Sequence, residues 1–188
     1  MEKILLKNAK LVLEDKLING SILISENRIE KIFIDNANLS EFTFDEVIDL
    51  DEKYLGPAFI DVHTHGADGA DAMDSSEVAL RKISKYLVQE GTANFLATTL
   101  TSTKEILKNV LKIVANLQDK DIEGANIFGV HMEGPYFSIE YKGAQNDKYM
   151  LPANIKELEE YLSVKEGLIK LFSISPHNQE NLEAIKFL

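Results

Sequence analysis

The segment Gly56–Gly66, GPAFIDVHTHG, joins a short apolar run to two histidines that are separated by one residue. The run AFIDV, residues 58–62, is typical of a strand that is buried on both faces in a parallel sheet. Side chains at i and i+2 of a strand point to the same side, so the imidazoles of His63 and His65 can face one ion. Asp61 falls on that side too and could accept an imidazole N–H. Parallel sheets carry their sites at the carboxyl ends of strands, so the segment predicts a metal site, with surface or core histidines as the alternative.

Three further apolar runs follow, and helical signals come after each of the four runs. The later runs are ANFLATT (93–99), NIFGVHM (126–132) and IKLFSIS (169–175). Capping boxes predict helix starts at Asp74, Ser102 and Asn154, each of which has a glutamate three residues later. A fourth helix is predicted to begin within residues 178–188. The residues predicted to form the apolar faces of the first two helices are Val78, Ile83, Tyr86, Leu87, Ile106, Val110, Ile113, Val114 and Leu117.

The alternation predicts four strand-helix units of about 35 to 40 residues, which is the pattern of a parallel α/β fold with right-handed crossovers. A closed (β/α)8 barrel needs about 250 residues, and the chain has 188. The fourth helix reaches the end of the sequence without a stop signal. We therefore expect the N-terminal half of a larger protein, and the alternative is a complete, open four-stranded α/β sheet.

The first fifty residues are expected to form a small antiparallel unit. The segments KILLKNAKLVL (3–13) and GSILISENRIEKIFI (20–34) are rich in aliphatic residues in broken alternation. Turn signals at Asn19-Gly20 and Glu26-Asn27 separate the predicted strands. The predicted organisation is residues 1–54 as part of a small β-sheet domain and residues 55–188 as the α/β domain.

Composition excludes several classes of function. The net charge of −11 argues against a nucleic-acid surface, because phosphate binding needs a concentrated basic face. The sequence contains no cysteine, so any metal must be held by His, Asp or Glu. The N-terminal segment lacks the order of a secretion signal, and no apolar tract is long enough to cross a bilayer. We expect a cytoplasmic protein with neither a nucleic acid nor a membrane as partner, and the acidic composition does not exclude a phosphorylated small-molecule substrate.

Two more segments carry candidate site residues. In GVHMEGPYF (129–137), Glu133 stands at the end of the third run, and Gly134-Pro135 predicts a sharp turn after it. His131 could be a third nitrogen ligand or a packed residue. In the loop YKGAQND (141–147), Gly143 and Ala144 permit close approach to a ligand, and Gln145 can donate and accept hydrogen bonds. His177 ends the fourth run and is expected to be a surface histidine beside a helix start.

Three of these stretches together resemble a known family. GPAFIDVHTHG is similar to the first-strand signature of the amidohydrolase superfamily, whose fold is a metal-dependent (β/α)8 (TIM) barrel with a small β-sandwich. GVHMEGPYFSIEYKGAQN resembles the segment that marks N-acetylglucosamine-6-phosphate deacetylases, and EGTANFLATTLTS resembles their second strand. The resemblance implies the first four βα units of the barrel, preceded by part of the sandwich.

The resemblance also implies roles for particular residues. Glu133 would be a ligand of the main catalytic metal, and His63 and His65 would contribute to a second metal position. Some members of the family carry Gln and Asn at that pair and use one metal. Ala144 and the next residue line the sugar site, but that residue is often His in the family and is Gln145 here. His177 stands where the family often has Glu, so its role stays open.

The activity implied is hydrolysis of the acetamide of N-acetylglucosamine 6-phosphate to glucosamine 6-phosphate and acetate. The resemblance implies a divalent metal, zinc first and iron or another ion second, with one or two per subunit, and a homodimer of the full-length protein. The catalytic Asp of the family and its remaining metal histidines have no counterpart in these residues, so this half alone is expected to be inactive. The alternatives are an amidohydrolase for a cyclic amide or another N-acyl compound, and an inactive α/β fragment.

Overall fold

The computed structural model describes residues 2–34 and 38–188. These residues form two compact units, one that ends at Pro57 and one that spans Ala58–Leu188. The first unit consists of strands. The second alternates strands with helices.

The first unit is a five-stranded sheet in the order β3-β2-β1-β4, with β5 paired to β1. Its strands are β1 (Lys3–Val12), β2 (Leu17–Ser25), β3 (Arg28–Ile34), β4 (Glu46–Asp49) and β5 (Tyr54–Leu55). Strands β1, β2 and β3 pair antiparallel as expected, whereas β4 and β5 both run parallel to β1. The core of this unit contains Leu5, Leu23 and Phe33, and Phe42 packs edge-on against Phe33.

One of the two predicted turns in this unit is wrong. Asn19 and Gly20 lie inside β2, and the turn before this strand instead closes where the Leu13 N–H donates to the Lys16 carbonyl (3.0 Å). A Cβ at position 20 would collide with the carbonyl oxygen of Phe33 on β3. Glycine therefore allows β2 and β3 to approach closely here and does not form a turn. The turn at Glu26 and Asn27 is confirmed, and both residues have positive φ, at 50° and 60°.

The second unit contains a parallel four-stranded sheet in the order β11-β10-β9-β6. Its elements are β6 (Phe59–Thr64), β7 (Gly66–Ala67), β8 (Ala70–Asp71), α1 (Glu77–Gln89), β9 (Thr92–Thr98), α2 (Lys104–Leu117), β10 (Asn126–Glu133), α3 (Ile155–Leu162), β11 (Ile169–Ser173) and α4 (Gln179–Phe187). The predicted alternation of four strands and four helices is confirmed. Each long strand pairs with the next one along the chain, so the sheet grows in one direction, as a barrel does and a doubly wound sheet does not.

The helix starts were predicted with mixed success. Asn154 caps α3 as expected, because its side chain accepts from the N–H groups of Lys156 and Glu157. The caps of α1 and α2 are Ser76 and Thr103 rather than Asp74 and Ser102. Asp74 belongs instead to a short 3-10 turn that Asp71 caps.

Some of the apolar residues predicted to face the core from these two helices do not. Val78 and Tyr86 of α1, and Ile106 of α2, are exposed, contrary to expectation. The buried faces of the two helices consist of Ala79, Leu80, Ile83, Ser84 and Leu87, and of Leu107, Val110, Leu111, Val114 and Leu117. Successive residues lie about 100° apart around a helix, so an apolar residue one position away from the buried stripe lies off the core.

The first apolar run is not buried on both faces. β6 is an edge strand of the sheet, and the side chains of Phe59, Ile60 and Val62 are all exposed. The run contains enough apolar side chains for a buried strand, but an edge strand has a neighbour on one side only. By contrast, the central strands β9 and β10 are largely buried. No helix in the part of the chain that the structure describes is long and apolar enough to cross a membrane.

Candidate metal centre

Three of the predicted site residues converge at the carboxyl ends of two strands. His63 and His65 lie at the end of β6, and Glu133 is the last residue of β10. One potential ligand atom from each of the three lies within 4.8 Å of the other two. The side chains of His65 and Glu133 are mostly shielded from solvent, whereas His63 is exposed.

Two threonines hold these strand ends together, Thr98 as the last residue of β9 and Thr99 directly after it. The Oγ1 of Thr98 accepts the N–H of Thr64 (3.0 Å), and the Thr98 carbonyl contacts the Nδ1 of His65 (3.1 Å). The Oγ1 of Thr99 accepts the N–H of Glu133 (3.2 Å). Both threonines are fully buried. Sequence reasoning missed them, although hydroxyl residues at the end of a buried apolar strand are a usable signal, because a buried hydroxyl needs a partner.

The contact between His65 and Glu133 shows that the site fits a cation. A carbonyl can only accept, so His65 donates its Nδ1–H to Thr98, and in the neutral ring Nε2 then carries a lone pair. That nitrogen lies 3.0 Å from Oε2 of Glu133. The same carboxylate oxygen is buried and makes no aligned hydrogen bond to any described residue. Two lone pairs at this distance repel each other, and either a proton on Nε2 or a divalent ion held by His65 and Glu133 would supply the positive charge that the pair needs.

His131 lies beside this group rather than in it. Its ring is 7 % exposed, and its Nδ1 lies 3.2 Å from the Nδ1 of His63. Its Nε2 lies 2.8 Å from the Oγ of Ser173 on β11. Burial lowers the pKa of His131 below its ordinary value, and the neighbouring His63 lowers it further. Both effects favour the neutral ring.

Asp61 does not accept an imidazole N–H from the pair. Its Oδ1 accepts the main-chain N–H of His63 (3.0 Å). The carboxylate therefore supports the backbone at the first histidine.

The segment after Glu133 is fixed by a buried tyrosine. The ring of Tyr136 stacks on Phe172, and its hydroxyl donates to Oε1 of Glu157 (2.7 Å). Asn181 of α4 donates to the Tyr136 carbonyl (3.1 Å). Burial, followed by the hydrogen bond to Glu157, raises the pKa of the Tyr136 hydroxyl far above its usual value. The turn at Gly134-Pro135 is thus held against β11 and two helices, which fixes where β10 ends.

The two residues predicted to line a sugar site lie on the loop after β10. Gln145 is buried, and its Oε1 accepts the N–H of Thr101 (2.8 Å), so the loop is tied to the end of β9. Lys142 also donates to the Gln145 carbonyl. Ala144 is exposed. The role of both residues in substrate binding stays a prediction.

His177 is exposed and directly precedes Asn178, which caps α4. Its ring contacts the side chains of Asn178 and Asn181. It lies outside the group formed by His63, His65 and Glu133.

The model of the amidohydrolase family matches residues 54–184, and the chain therefore belongs to the amidohydrolase family. Its fold is part of the family's (β/α)8 barrel together with a β-rich portion. Amidohydrolases are metal-dependent, and the group of two histidines and one glutamate could bind the metal.

Particular relatives share a narrower resemblance. The chain is 31 % identical over 192 residues to the N-acetylglucosamine-6-phosphate deacetylase of Bacillus subtilis, a match that covers 100 % of this chain and 48 % of the relative. It is 32 % identical to the N-acetylgalactosamine-6-phosphate deacetylase of Escherichia coli O157:H7, over 76 % of this chain and 38 % of that protein. The chain spans about half the length of the B. subtilis relative and less than half the length of the E. coli relative.

A solved structure supports the same likeness. The N-acetylglucosamine-6-phosphate deacetylase of Thermotoga maritima superposes with a TM-score of 0.77 at 26 % identity, over 97 % of this chain and 45 % of that one.

Proposed function

We propose that this chain is part of a metal-dependent deacetylase that hydrolyses the acetamide of N-acetylglucosamine 6-phosphate to glucosamine 6-phosphate and acetate. The observation that carries the proposal is the convergence of His63, His65 and Glu133 at the carboxyl ends of β6 and β10, the two strands on either side of β9. The similarity to deacetylases over the whole chain and the motif "HMEGP" followed by "KGA" point to this substrate within the family.

The chemistry assigns a task to each residue. A divalent ion held here would lower the pKa of a water molecule and polarise the acetamide carbonyl. His63 and His65 would present imidazole nitrogens to it, and Glu133 would add a negative oxygen that favours a dication. Hydrogen bonds to Thr98 and Thr99 would fix the positions of the strand ends that carry these side chains. We propose that the carboxylate that passes a proton to the leaving amine is an aspartate beyond these 188 residues.

The donor set favours zinc. Imidazole nitrogen and carboxylate oxygen suit zinc and iron, and calcium or magnesium prefer oxygen alone. We propose one or two ions per subunit, with zinc as the first candidate. Metal analysis of protein that has been purified without added metal tests the identity of the ion.

We propose that Ala144 and Gln145 contribute to the sugar site. Ala144 is exposed on a loop that Gln145 anchors to β9, so its main chain is accessible to a ligand. The amide nitrogen of Gln145 remains as a donor after its oxygen has been taken by Thr101.

Acetate release is the direct test of this proposal. The protein encoded by the complete gene, loaded with zinc, should release acetate from N-acetylglucosamine 6-phosphate. Glu133→Gln should lose most of that activity, whereas His177→Asn, a change at an exposed residue outside the group, should keep it. The proposal fails if the zinc-loaded protein leaves the sugar phosphate intact, or if it prefers a dihydropyrimidine, a hydantoin or an N-acetyl amino acid.

The galactosamine epimer is a second candidate substrate. One relative that is 32 % identical to this chain is an N-acetylgalactosamine-6-phosphate deacetylase. The same assay with both epimers, compared by kcat/KM, decides between them.

We propose three broader features with this activity. Residues 1–54 would be part of a small β-sandwich domain and residues 55–188 the first half of the barrel. The full-length enzyme would be a homodimer, which sedimentation analysis tests. It would serve amino sugar breakdown in the cytoplasm, which cell fractionation tests.

A further inference from the structure

A chain of three polar side chains crosses the sheet beside the candidate centre. Ser173 ends β11, His131 lies in β10, and His63 lies near the end of β6. The Oγ of Ser173 lies 2.8 Å from Nε2 of His131, and the Nδ1 of His131 lies 3.2 Å from the Nδ1 of His63. His131 is 7 % exposed, so bulk water competes little for its nitrogens.

The proton positions in this chain are linked. A nitrogen pair at 3.2 Å forms a hydrogen bond only when one of the two nitrogens carries a proton. If His131 donates Nε2–H to Ser173, its Nδ1 is the acceptor, and His63 donates Nδ1–H to it. If Ser173 donates to His131 instead, the proton of His131 is on Nδ1, and the neutral ring of His63 carries its proton on Nε2.

Only the first arrangement leaves His63 with a free nitrogen for a metal, namely Nε2. His65 is already in the equivalent state, because the Thr98 carbonyl accepts its Nδ1–H and leaves Nε2 toward Glu133. Whether Ser173 accepts from His131 or donates to it therefore decides whether Nε2 of His63 is free to bind a metal.

We propose that His131 is a positioning residue which, together with Ser173, holds the proton of His63 on Nδ1 and so frees Nε2 of His63 to bind the metal. This inference rests on the proposed metal-dependent function. His131 is not itself a ligand, since both of its nitrogens have protein partners. Hydrogen bonds to the second nitrogen of a metal-binding histidine fix its tautomer and strengthen the ligand.

The test combines zinc affinity with imidazole NMR on the 188-residue chain. His131→Leu removes the acceptor, and Ser173→Ala removes the group that orients it. His131→Asn places an amide oxygen near the position of Nδ1 and can still accept from His63. His177→Leu and His177→Asn are the matched controls at an exposed histidine.

We expect His131→Leu to weaken zinc binding by about 10-fold or more, and Ser173→Ala to weaken it by a smaller factor. His131→Asn and both controls should stay within about 3-fold of the wild type, a smaller change than the roughly 10-fold or more that loss of such a partner produces. Nitrogen-15 spectra of the wild type should show His63 with its proton on Nδ1 before zinc is added. They should show its Nε2 bound to zinc afterwards.

The inference is overturned if His131→Leu binds zinc as tightly as the wild type. It is also overturned if the spectra show a nitrogen of His131 bound to zinc, or His63 with its proton on Nε2. A wild-type chain that binds no zinc would contradict the proposed metal site instead, and the tautomer of His63 in the metal-free chain would still decide this inference. Circular dichroism of each variant separates loss of folding from loss of binding.

Discussion

Strands β6 and β9 are neighbours in one sheet, but their side chains lie in opposite environments. Phe95 in the middle of β9 is 0 % exposed, whereas Phe59 at the start of β6 is 71 % exposed. Both strands carry residues of the candidate centre at their carboxyl ends. The two histidines lie at the end of the exposed strand, and Thr98 at the end of the buried strand bonds to Thr64 and His65 there, while Thr99 bonds to Glu133. The difference indicates that the position of the histidines depends on hydrogen bonds from β9 more than on packing of β6.

Phenylalanine substitutions should show the largest contrast between the two strands. We expect Phe95→Ala to lower the free energy of unfolding by about 3 to 5 kcal/mol, because it leaves a cavity in a closed core. Phe59→Ala should lower it by about 0.5 kcal/mol or less, since the ring is already in water. Urea unfolding of both variants measures the difference. Equal losses would mean that β6 is covered in solution.

The hydrogen bonds between the strands should matter next. Thr98→Val keeps the shape of the side chain but leaves the N–H of Thr64 without its acceptor, which should cost about 1 to 2 kcal/mol. The same change should weaken zinc binding, because the end of β6 loses its support. Thr92→Val, at the other end of β9, is the control. If Thr98→Val changed stability without any effect on zinc binding, the threonine would hold the sheet and not the site.

The two buried tyrosines that donate to Glu157 should give a smaller effect on stability, and one that depends on pH. Tyr136 and Tyr161 both donate to Glu157, and burial raises the pKa of each hydroxyl. The unfolded chain therefore loses these protons first, so the contribution of the two tyrosines to stability should be constant below about pH 10 and fall as the pH rises above it.

Tyr161→Phe tests that effect. The variant should lose about 1 kcal/mol near neutral pH, where the hydrogen bond is missing, and should show a weaker decline above about pH 10. Denaturant unfolding at a series of alkaline pH values provides the comparison. An identical alkaline decline in the wild type and the variant would mean that other groups cause it.

The sequence was sufficient for those features that depend on local pattern. Alternating apolar runs and capped helices predicted the parallel α/β sheet, and the cap of α3 at Asn154 was identified correctly. His63, His65 and Glu133 were singled out because polar residues at strand ends meet at one edge of a parallel sheet. That reasoning needs no knowledge of the packing.

Features that depend on tertiary neighbours were missed. The burial of AFIDV was predicted from its composition, but exposure is decided by what lies beside the strand, and β6 is at the edge. Gly20 was interpreted as a turn residue because its contact with Phe33 on another strand is invisible in the sequence. The roles of Thr98 and Thr99 depend on partners that lie more than thirty residues away along the chain.

The most direct test of the central claim is zinc binding by the 188-residue chain, measured by competition with a chelator of known affinity. The account predicts that the wild type binds at least one equivalent of zinc, and that His65→Asn and Glu133→Gln each weaken binding by about 10-fold or more. His177→Asn should bind as the wild type does. Absence of zinc binding by the folded wild type, or binding by His65→Asn and Glu133→Gln that is as tight as that of the wild type, would contradict the assignment of His63, His65 and Glu133 as a metal centre.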